Sequence, residues 1–334
     1  MPTIRDVARH AGVSTATVSR VINQNGSVSP ELEALVYKSM KELHYQPNAV
    51  ARGLKTASTS TIGIIVLDLS NNQLGSLCFS ISSSLFHRNY LPLICSSEYT
   101  PETEQKFVEH LLSHKVDGII INSCQPWNKQ LSFISQSIPM VAVYRRISDT
   151  SYKGDFIDTD GQNGTYVLTK HLLDRGHRRI FAINGPLNTS AGFDRYQGFC
   201  KAMQEAGISM QDYDLHYETN YTVKEGAEAM EHITKIRPTP TAILTTNPEL
   251  QLGVLQYCKK HGIRIPEDFS LVCYAPSLYN DLLYVEPTCA LQNYSIVGER
   301  ASQLILERIE NPSLPNREII YSCPIIYGNS VLDV

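Results

Sequence analysis

Residues Thr3–Asn23 read TIRDVARHAGVSTATVSRVIN, and their spacing predicts two short helices joined by a tight turn. Thr3 can cap the first helix, and Asp6 at its third position completes a capping box. Gly12 supplies the sharp break between the helices, and Ser14 caps the second one. We therefore interpret this stretch as a helix-turn-helix.

The second helix is predicted to turn Val18, Val21 and Ile22 inward. Its other face would carry short polar groups and one arginine, namely Thr15, Ala16, Ser19, Arg20 and Asn23. Groups of this kind fit a major groove and can bond to base edges. We therefore predict that this face reads DNA.

A third helix is expected to begin at Ser29-Pro30-Glu31, which combine a cap, a first-turn proline and a first-turn acid. Its predicted apolar stripe consists of Leu32, Leu35, Val36, Met40 and Leu43. Three such helices can bury a small shared core. The following stretch, Tyr45–Thr56 (YQPNAVARGLKT), would end this helix at Pro47 and form one further short helix capped by Asn48.

Two runs in this region, TIRDVARHAGVSTATVSRVIN and PNAVARGLK, resemble the lactose/galactose-repressor (LacI/GalR) family of bacterial transcription factors. The match is highly specific in the first sixty residues and continues more loosely through the chain. The resemblance implies that the short helix is a hinge helix, paired with its twin in a second subunit. It also implies that Leu54 is an apolar wedge in the minor groove; the alternative is a buried contact within the hinge.

Carried over in the same way, Thr15, Ala16 and Arg20 hold the base-reading positions. Because the first two side chains are small, Arg20 is expected to carry most of the direct hydrogen bonding, to a guanine. The complete predicted DNA-binding set is Ser14, Thr15, Ala16, Thr17, Ser19, Arg20, Asn23, Ser27, Asn48 and Leu54.

Charge is distributed unevenly along the 334 residues, whose net charge of −4 by itself argues against DNA binding. Residues 1–60 carry seven basic and four acidic side chains, whereas the remainder carries 22 basic and 29 acidic ones. A basic head on an acidic body suits phosphate contacts at one end of the molecule. Since the excess is modest, we expect that two heads are needed for tight binding.

The chain shows no charged-then-apolar leader and no long apolar run, so we expect a cytoplasmic, nucleoid-associated bacterial protein without membrane contact. Its eight cysteines are scattered without metal-ligand spacing and are interpreted as thiols of a reducing compartment.

His110 and His114 lie one helical turn apart and could in principle hold a metal. Because the glutamate of a zinc-protease motif is missing, we interpret them as part of a solvated helix face. No phosphate loop, dinucleotide fingerprint or nucleophile elbow is present, so neither cofactor nor enzymatic activity is predicted.

From Thr61 onward, short apolar strands alternate with amphipathic helices, a pattern typical of parallel sheets with helices on both faces. Strands are predicted at Ile62–Leu67, Leu91–Cys95, Gly118–Ile121, Met140–Tyr144, Arg179–Ile183, Thr241–Leu244 and Leu271–Tyr274. Helices are predicted near Leu74–Arg88, Glu102–His114, Gln162–Arg175, Tyr196–Ala206, Lys224–Ile236, Glu249–His261 and Ser295–Glu310. A break near Asp158–Asn163 suggests two similar lobes, which would bind a small molecule between them.

The predicted fold class is therefore α/β, with a small all-α head and, by resemblance, a periplasmic-binding-protein-like core of two doubly wound lobes. The domain prediction assigns 1–46 to the helix-turn-helix, 47–60 to the hinge helix and linker, and 61–334 to the effector-binding and dimerisation core. Within that core, the N-lobe would comprise about 61–160 and 292–322, and the C-lobe about 163–289 and 324–334. The chain would cross between the lobes three times.

The resemblance also implies an effector site, with Arg145, Asp160, Arg195, Tyr221 and Asn247 at positions that face the family's ligand. An arginine can donate a fork of hydrogen bonds to hydroxyls or an anion, and the Tyr221 ring could stack on a sugar face. The alternative for each arginine is an interlobe ion pair. The alternative for Asp160 is a cap at the lobe hinge.

Two departures from the family pattern affect this site. Pro248 replaces an aspartate, but Asn247 can still cap the next helix, so the fold should survive. Ala275 stands where the family commonly has an aspartate that holds sugar hydroxyls. A pocket that keeps its arginines and loses a carboxylate is more positive, so we hypothesise an anionic effector such as a phosphosugar or sugar acid. An orphan pocket with altered or no response is the alternative.

Together these features predict a homodimeric repressor that binds a near-palindromic operator and responds to a sugar or sugar phosphate, for genes of carbohydrate uptake or catabolism. One alternative is a global catabolite regulator controlled by a phosphocarrier protein, although no docking surface marks it. A second is a solute-binding protein without a regulatory role, which the DNA-reading helices oppose.

Overall fold

The computed structural model describes residues 2–23, 27–46, 58–209, 215–277 and 280–334, without the side chains of Asn23 and Asp281. The chain forms two compact units, which we call the head unit (Met1–Ser60) and the core unit (Thr61–Val334). Among the described residues, no helix combines the length and apolar character needed to cross a lipid bilayer.

The head unit contains three described helices, α1 (Ile4–His10), α2 (Thr15–Asn23) and α3 (Pro30–Glu42). The Thr3 backbone N–H and hydroxyl both donate to the Asp6 carboxylate, at 2.8 and 2.7 Å, and so fix the start of α1. Gly12 has a φ of 64°, a conformation that costs glycine little. The predicted helix-turn-helix is confirmed.

The head core is built from three valines of α1 and α2, Val7, Val18 and Val21, which are buried against Val36 of α3. The prediction for α3 was partly wrong, because Leu32 and Leu35 are 38% and 42% exposed. The short helices α1 and α2 cover α3 only from Val36 onward, so the first turn and a half contributes no buried side chain.

The core unit contains two six-stranded sheets. The first consists of β1 (Thr61–Val66), β2 (Leu91–Ser96), β3 (Gly118–Ile121), β4 (Met140–Val143), β5 (Asp155–Thr159) and β11 (Glu318–Tyr321). Its strands are all parallel, in the order β11-β5-β4-β3-β1-β2. Its flanking helices are α4 (Asn72–Phe86), α5 (Pro101–Ser113), α6 (Lys129–Ile134) and α11 (Tyr294–Glu310). Helices α4 and α11 cover one face, and α5 and α6 cover the other.

The second sheet consists of β6 (Ile180–Asn184), β7 (His216–Glu218), β8 (Ala242–Thr245), β9 (Ser270–Tyr274), β10 (Thr288–Ala290) and β12 (Ile325–Ile326). It has the order β12-β10-β9-β8-β6-β7 and is parallel except for β12. Its helices are α7 (Gly161–Asp174), α8 (Ser190–Glu205), α9 (Val223–Ile233) and α10 (Pro248–His261), with a 3-10 turn at Asn280–Leu282. Helix α7 packs with α8, and α9 packs with α10.

The predicted α/β class with two parallel-dominated sheets is confirmed, and so are all seven predicted strands. Sequence pattern missed β5, β7, β10, β11 and β12. Three of these have only two or three residues, β5 (DFIDT) carries two aspartates, and β11 (EIIY) begins with an exposed glutamate. None therefore shows the continuous apolar run of a buried parallel strand. Helix α8 begins at Ser190, earlier than the predicted Tyr196, because Thr189 caps it through the Gly192 N–H.

The chain passes between the two sheets three times, after β5, after β10 and after β11. At the first crossing, β5 of the first sheet ends at Thr159, and α7, which packs on the second sheet, begins at Gly161. These crossings bring the carboxyl ends of both sets of strands to one cleft, the usual ligand site of open parallel sheets.

A buried ion cluster ties the first lobe together at the opposite, amino-terminal end of its strands. Asp155 at the start of β5 is fully buried and accepts hydrogen bonds from Arg308 Nε (3.2 Å) and Arg317 Nη2 (2.7 Å). Arg308 belongs to α11 and Arg317 precedes β11, so one carboxylate joins β5 to two segments that lie 153 and 162 residues further along the chain.

We expect Asp155→Asn to destabilise the protein by about 3–5 kcal/mol, because it leaves two guanidinium groups without their buried partner. Urea unfolding followed by circular dichroism measures this loss. Asp174→Asn is the control, since Asp174 is exposed and its contact with Lys170 is 4.0 Å long; its effect should stay below about 1 kcal/mol. Equal stability of the two variants would contradict the assignment.

Candidate functional site

The outward face of α2 carries small side chains that are exposed to solvent. Ser14 Oγ accepts the Thr17 N–H at 3.0 Å and caps the helix. Thr15, Ala16 and Arg20 are exposed, while Val18 on the opposite side is completely buried. Thr15 and Ala16 present only small exposed side chains, so within the described part of the head unit this face can enter a groove.

The remaining residues predicted to bind DNA are placed less uniformly. Thr17 and Ser19 are half-buried, and the Thr17 hydroxyl lies 2.9 Å from the Ser14 hydroxyl, so it helps to form the helix start. Ser27 is exposed. Asn23 ends α2, but its side chain lies outside the described part of the structure. Asn48 and Leu54 lie outside the described residues.

A second candidate site is a cavity of about 70 Å³ between the two lobes of the core unit. It brings together four of the predicted effector residues, namely Arg145, Arg195, Tyr221 and Asn247, all of them buried. Arg145 follows β4 of the first lobe, and the other three belong to the second lobe. The predicted cap is confirmed as well, because Asn247 Oδ1 accepts the Leu250 N–H at 2.9 Å.

Two predicted effector residues do not line this cavity. Asp160 caps α7, where its Oδ1 accepts the Asn163 N–H at 2.9 Å, as the alternative interpretation held. Ala275 is buried with a φ of 60° and donates its N–H to the Ala290 carbonyl at 2.9 Å. Asp160 directly follows β5 and Ala275 directly follows β9, but neither side chain is among those that line the cavity.

Sequence reasoning missed much of the polar and aromatic lining. The lining residues that it did not nominate include Asn71, Gln73, Tyr99, Asn122, Tyr144, Gln292 and Tyr294. Asn122 and Tyr144 directly follow a strand, and the others lie in the segments after the carboxyl ends of β1, β2 and β10, so the rule for open parallel sheets could have found them. Among the described lining residues there is no aspartate or glutamate, which leaves the two arginines as the charged groups of the cavity wall.

Comparisons with known proteins agree with this geometry. Residues 3–48 match the model of "Bacterial regulatory proteins, lacI family", and residues 169–331 match a "Periplasmic binding protein-like domain". The HTH-type transcriptional repressor PurR of Pasteurella multocida is 33% identical over 94% of this chain and 93% of its own length. PurR of Yersinia enterocolitica is 32% identical over the whole chain and 98% of its own length.

This chain belongs to the LacI family of bacterial regulators. The lac repressor dimer bound to operator and the anti-inducer ONPF shares the fold, with a TM-score of 0.88, 23% identity and 99% of each chain covered. A complex of the transcriptional regulator CelR with cellobiose has a TM-score of 0.73 at 26% identity, over 99% of this chain and all of the other.

The two arginines of this LacI-family cavity have different electrostatic surroundings. Arg195 Nη1 donates to the Thr246 carbonyl at 2.8 Å, and its guanidinium lies 4.3 Å from the centre of the Tyr274 ring. It also lies near Asp158, whose pKa burial raises to about 7 even though Arg195 opposes the shift. Arg145 has the Tyr99 ring centre at 6.0 Å, and burial lowers the pKa of its guanidinium.

Proposed function

We propose that this protein is a dimeric, operator-binding transcriptional repressor whose DNA affinity is set by a small metabolite in the interlobe cavity. The observation that carries the proposal is the exposed polar face of α2, which lies in the segment that matches the lacI family model. The named function of the PurR relatives, transcriptional repression, supports it.

In the proposed mechanism, α2 of each subunit reads one half-site in the major groove. The two-fold symmetry of a dimer then requires a near-palindromic operator. The hinge segment, 47–60, would pair across the dimer axis, with Leu54 bending the central base step. Among the described side chains of the exposed face, Arg20 is the one long donor, and it would bond to a guanine.

We expect Arg20→Ala to weaken operator binding by about 1–3 kcal/mol, the range for one bidentate base contact, which is roughly 5- to 150-fold in Kd. Fluorescence anisotropy with palindromic duplexes from upstream of the protein's own gene measures the loss, at fixed salt.

Arg9→Ala is the matched control, because it removes the same charge from an exposed head residue paired with Asp6. It should lower affinity for all DNA sequences alike and by much less. If Arg20→Ala binds like the wild type, or if no palindrome is bound with or without metabolites, the DNA-reading proposal fails.

Dimerisation is supported by an apolar patch on the first lobe. Phe79 and Phe86 lie two turns apart on α4 and are 76% and 71% exposed. Leu91 and Ile94 on the edge strand β2 are exposed beside them. An exposed apolar patch next to an open sheet edge is costly for a monomer, and a second copy of the chain would cover it.

Phe79→Ser should therefore shift the protein from dimer to monomer in sedimentation velocity at micromolar concentration, and should weaken operator binding in parallel. Phe133→Ser is the matched control, since Phe133 is 79% exposed on α6, on the other face of the same sheet. Dimerisation that survives Phe79→Ser unchanged would exclude this patch.

For the effector, we propose an anionic sugar derivative, and the cavity wall of two arginines without a carboxylate supports this class. An engineered cavity of about 150 Å³ holds benzene. The 70 Å³ seen here is smaller, so a sugar-sized ligand requires the lobes to separate. Such a change in lobe angle would alter the spacing of the two hinge segments and hence the DNA affinity.

Calorimetry with glucose, glucose 6-phosphate and gluconate tests this class. We expect the two acids to bind and glucose to bind at least about tenfold more weakly, because a charged hydrogen-bond acceptor gains more from an arginine. Preference for the neutral sugar would remove the anion proposal and leave neutral ligands, such as the cellobiose of the CelR complex, as the class to pursue.

A further inference from the structure

The two cavity arginines differ in how far the protein already satisfies them. Arg195 has a carbonyl acceptor in Thr246, a stacking partner in Tyr274 and an acidic neighbour in Asp158. These residues come from the ends of β8, β9 and β5, so the side chain joins the two lobes. Its guanidinium therefore already has a hydrogen-bond acceptor, an aromatic ring and a nearby acidic group within the protein.

Arg145 has no comparable set of partners. It is 92% buried, yet within the described part of the chain no carboxylate lies at ion-pairing distance and no acceptor bonds to its guanidinium. Its guanidinium lies 6.0 Å from the centre of the Tyr99 ring. A buried cation without an anion is unfavourable unless a ligand supplies the missing charge.

Three further polar groups on the same wall lack partners. Gln73 Nε2, the Tyr144 hydroxyl and the Tyr221 hydroxyl are buried without a hydrogen bond among the described residues. Unsatisfied buried groups are rare in folded proteins. Gln73 and Tyr144 belong to the first lobe and Tyr221 to the second, so one small ligand could satisfy groups of both lobes.

The backbone gives an independent indication at this wall. Tyr99, Tyr144 and Tyr221 have φ values of 57°, 60° and 66°, a region that side-chain-bearing residues rarely adopt. Strain of this kind persists where the surrounding structure holds it, and it clusters at ligand sites. Three strained tyrosines on one small cavity mark it as built for a ligand.

We propose that Arg145 binds the negative group of the effector, a carboxylate or a phosphate, while Arg195 remains bonded within the protein. The Gln73 amide and the hydroxyls of Tyr144 and Tyr221 then bond to the oxygens around that group. This assignment rests on the proposed effector function of the cavity, and it names the residue that determines specificity for acids.

Inorganic phosphate tests the assignment without knowledge of the natural ligand, because a small oxyanion is far closer to the cavity in size than a sugar is. The full-length protein is titrated with phosphate, sulfate and glycolate by calorimetry, and its melting temperature is followed against chloride at equal ionic strength. We expect at least one oxyanion to bind and to raise the melting temperature by about 2 °C or more. The phosphate and glycolate arms distinguish a phosphate ligand from a carboxylate ligand.

Arg145→Gln should weaken that binding at least about tenfold, while its melting temperature in chloride stays equal to or above that of the wild type, since an uncompensated buried charge is removed. Arg195→Gln should lower the melting temperature, because the Thr246 carbonyl loses its donor. Arg146→Gln is the matched control: this neighbour pairs with Asp194 and Glu318 outside the cavity and should keep the oxyanion response.

A wild type that binds none of the three anions, or an Arg145→Gln variant that binds them like the wild type, overturns the assignment. So does an Arg145→Gln variant that is as unstable as Arg195→Gln. Operator binding of the wild type is measured in parallel. Its loss would count against the repressor function alone, whereas a failed oxyanion response with intact operator binding would count against Arg145 alone.

Discussion

The cleft depends on the contacts that the Arg195 guanidinium makes with residues of both lobes. It is buried between the lobes, over the Tyr274 ring at 4.3 Å and bonded to the Thr246 carbonyl at 2.8 Å. The nearby Asp158 lies on the first sheet and the other two partners on the second, so this side chain joins the carboxyl ends of the two sets of strands. The hydroxyls of Thr159 and Tyr274, 2.8 Å apart, form a second contact between the sheets.

The position of the positive charge in the cavity follows from the same arrangement. Once Arg195 is satisfied by the protein, the free positive charge of the cavity lies on the first lobe, at Arg145, among tyrosines and amides. A wall of this composition favours an acid over a neutral sugar, since hydroxyls can be matched by tyrosines and amides but an arginine is matched best by an anion. Under the proposed function, the effector class would thus be set by one side chain, and the coupling to DNA by the change in lobe angle that admits the ligand.

The sequence argument for a positive pocket started from Ala275, which stands where the family commonly has an aspartate. Ala275 does not line the cavity, and neither does Asp160, which caps α7. None of the described residues that line the cavity is an aspartate or glutamate. The sequence analysis did not nominate several of these residues, among them Gln73 and Tyr144. Strand-end position was the signal that would have pointed to Tyr144, directly after β4.

The sequence by itself determined the head helices and the alternation of strands and helices, because caps, turns and periodicity act between residues close together in the chain. Thr3 with Asp6, and Gly12 at its positive φ, are examples of such local control. Only the tertiary structure decided that Leu32 and Leu35 stay exposed. It also decided that Arg145, unlike Arg195, has no hydrogen-bond acceptor or carboxylate for its guanidinium among the described residues. Burial and hydrogen bonding at those positions depend on segments far away in sequence, which no local pattern records.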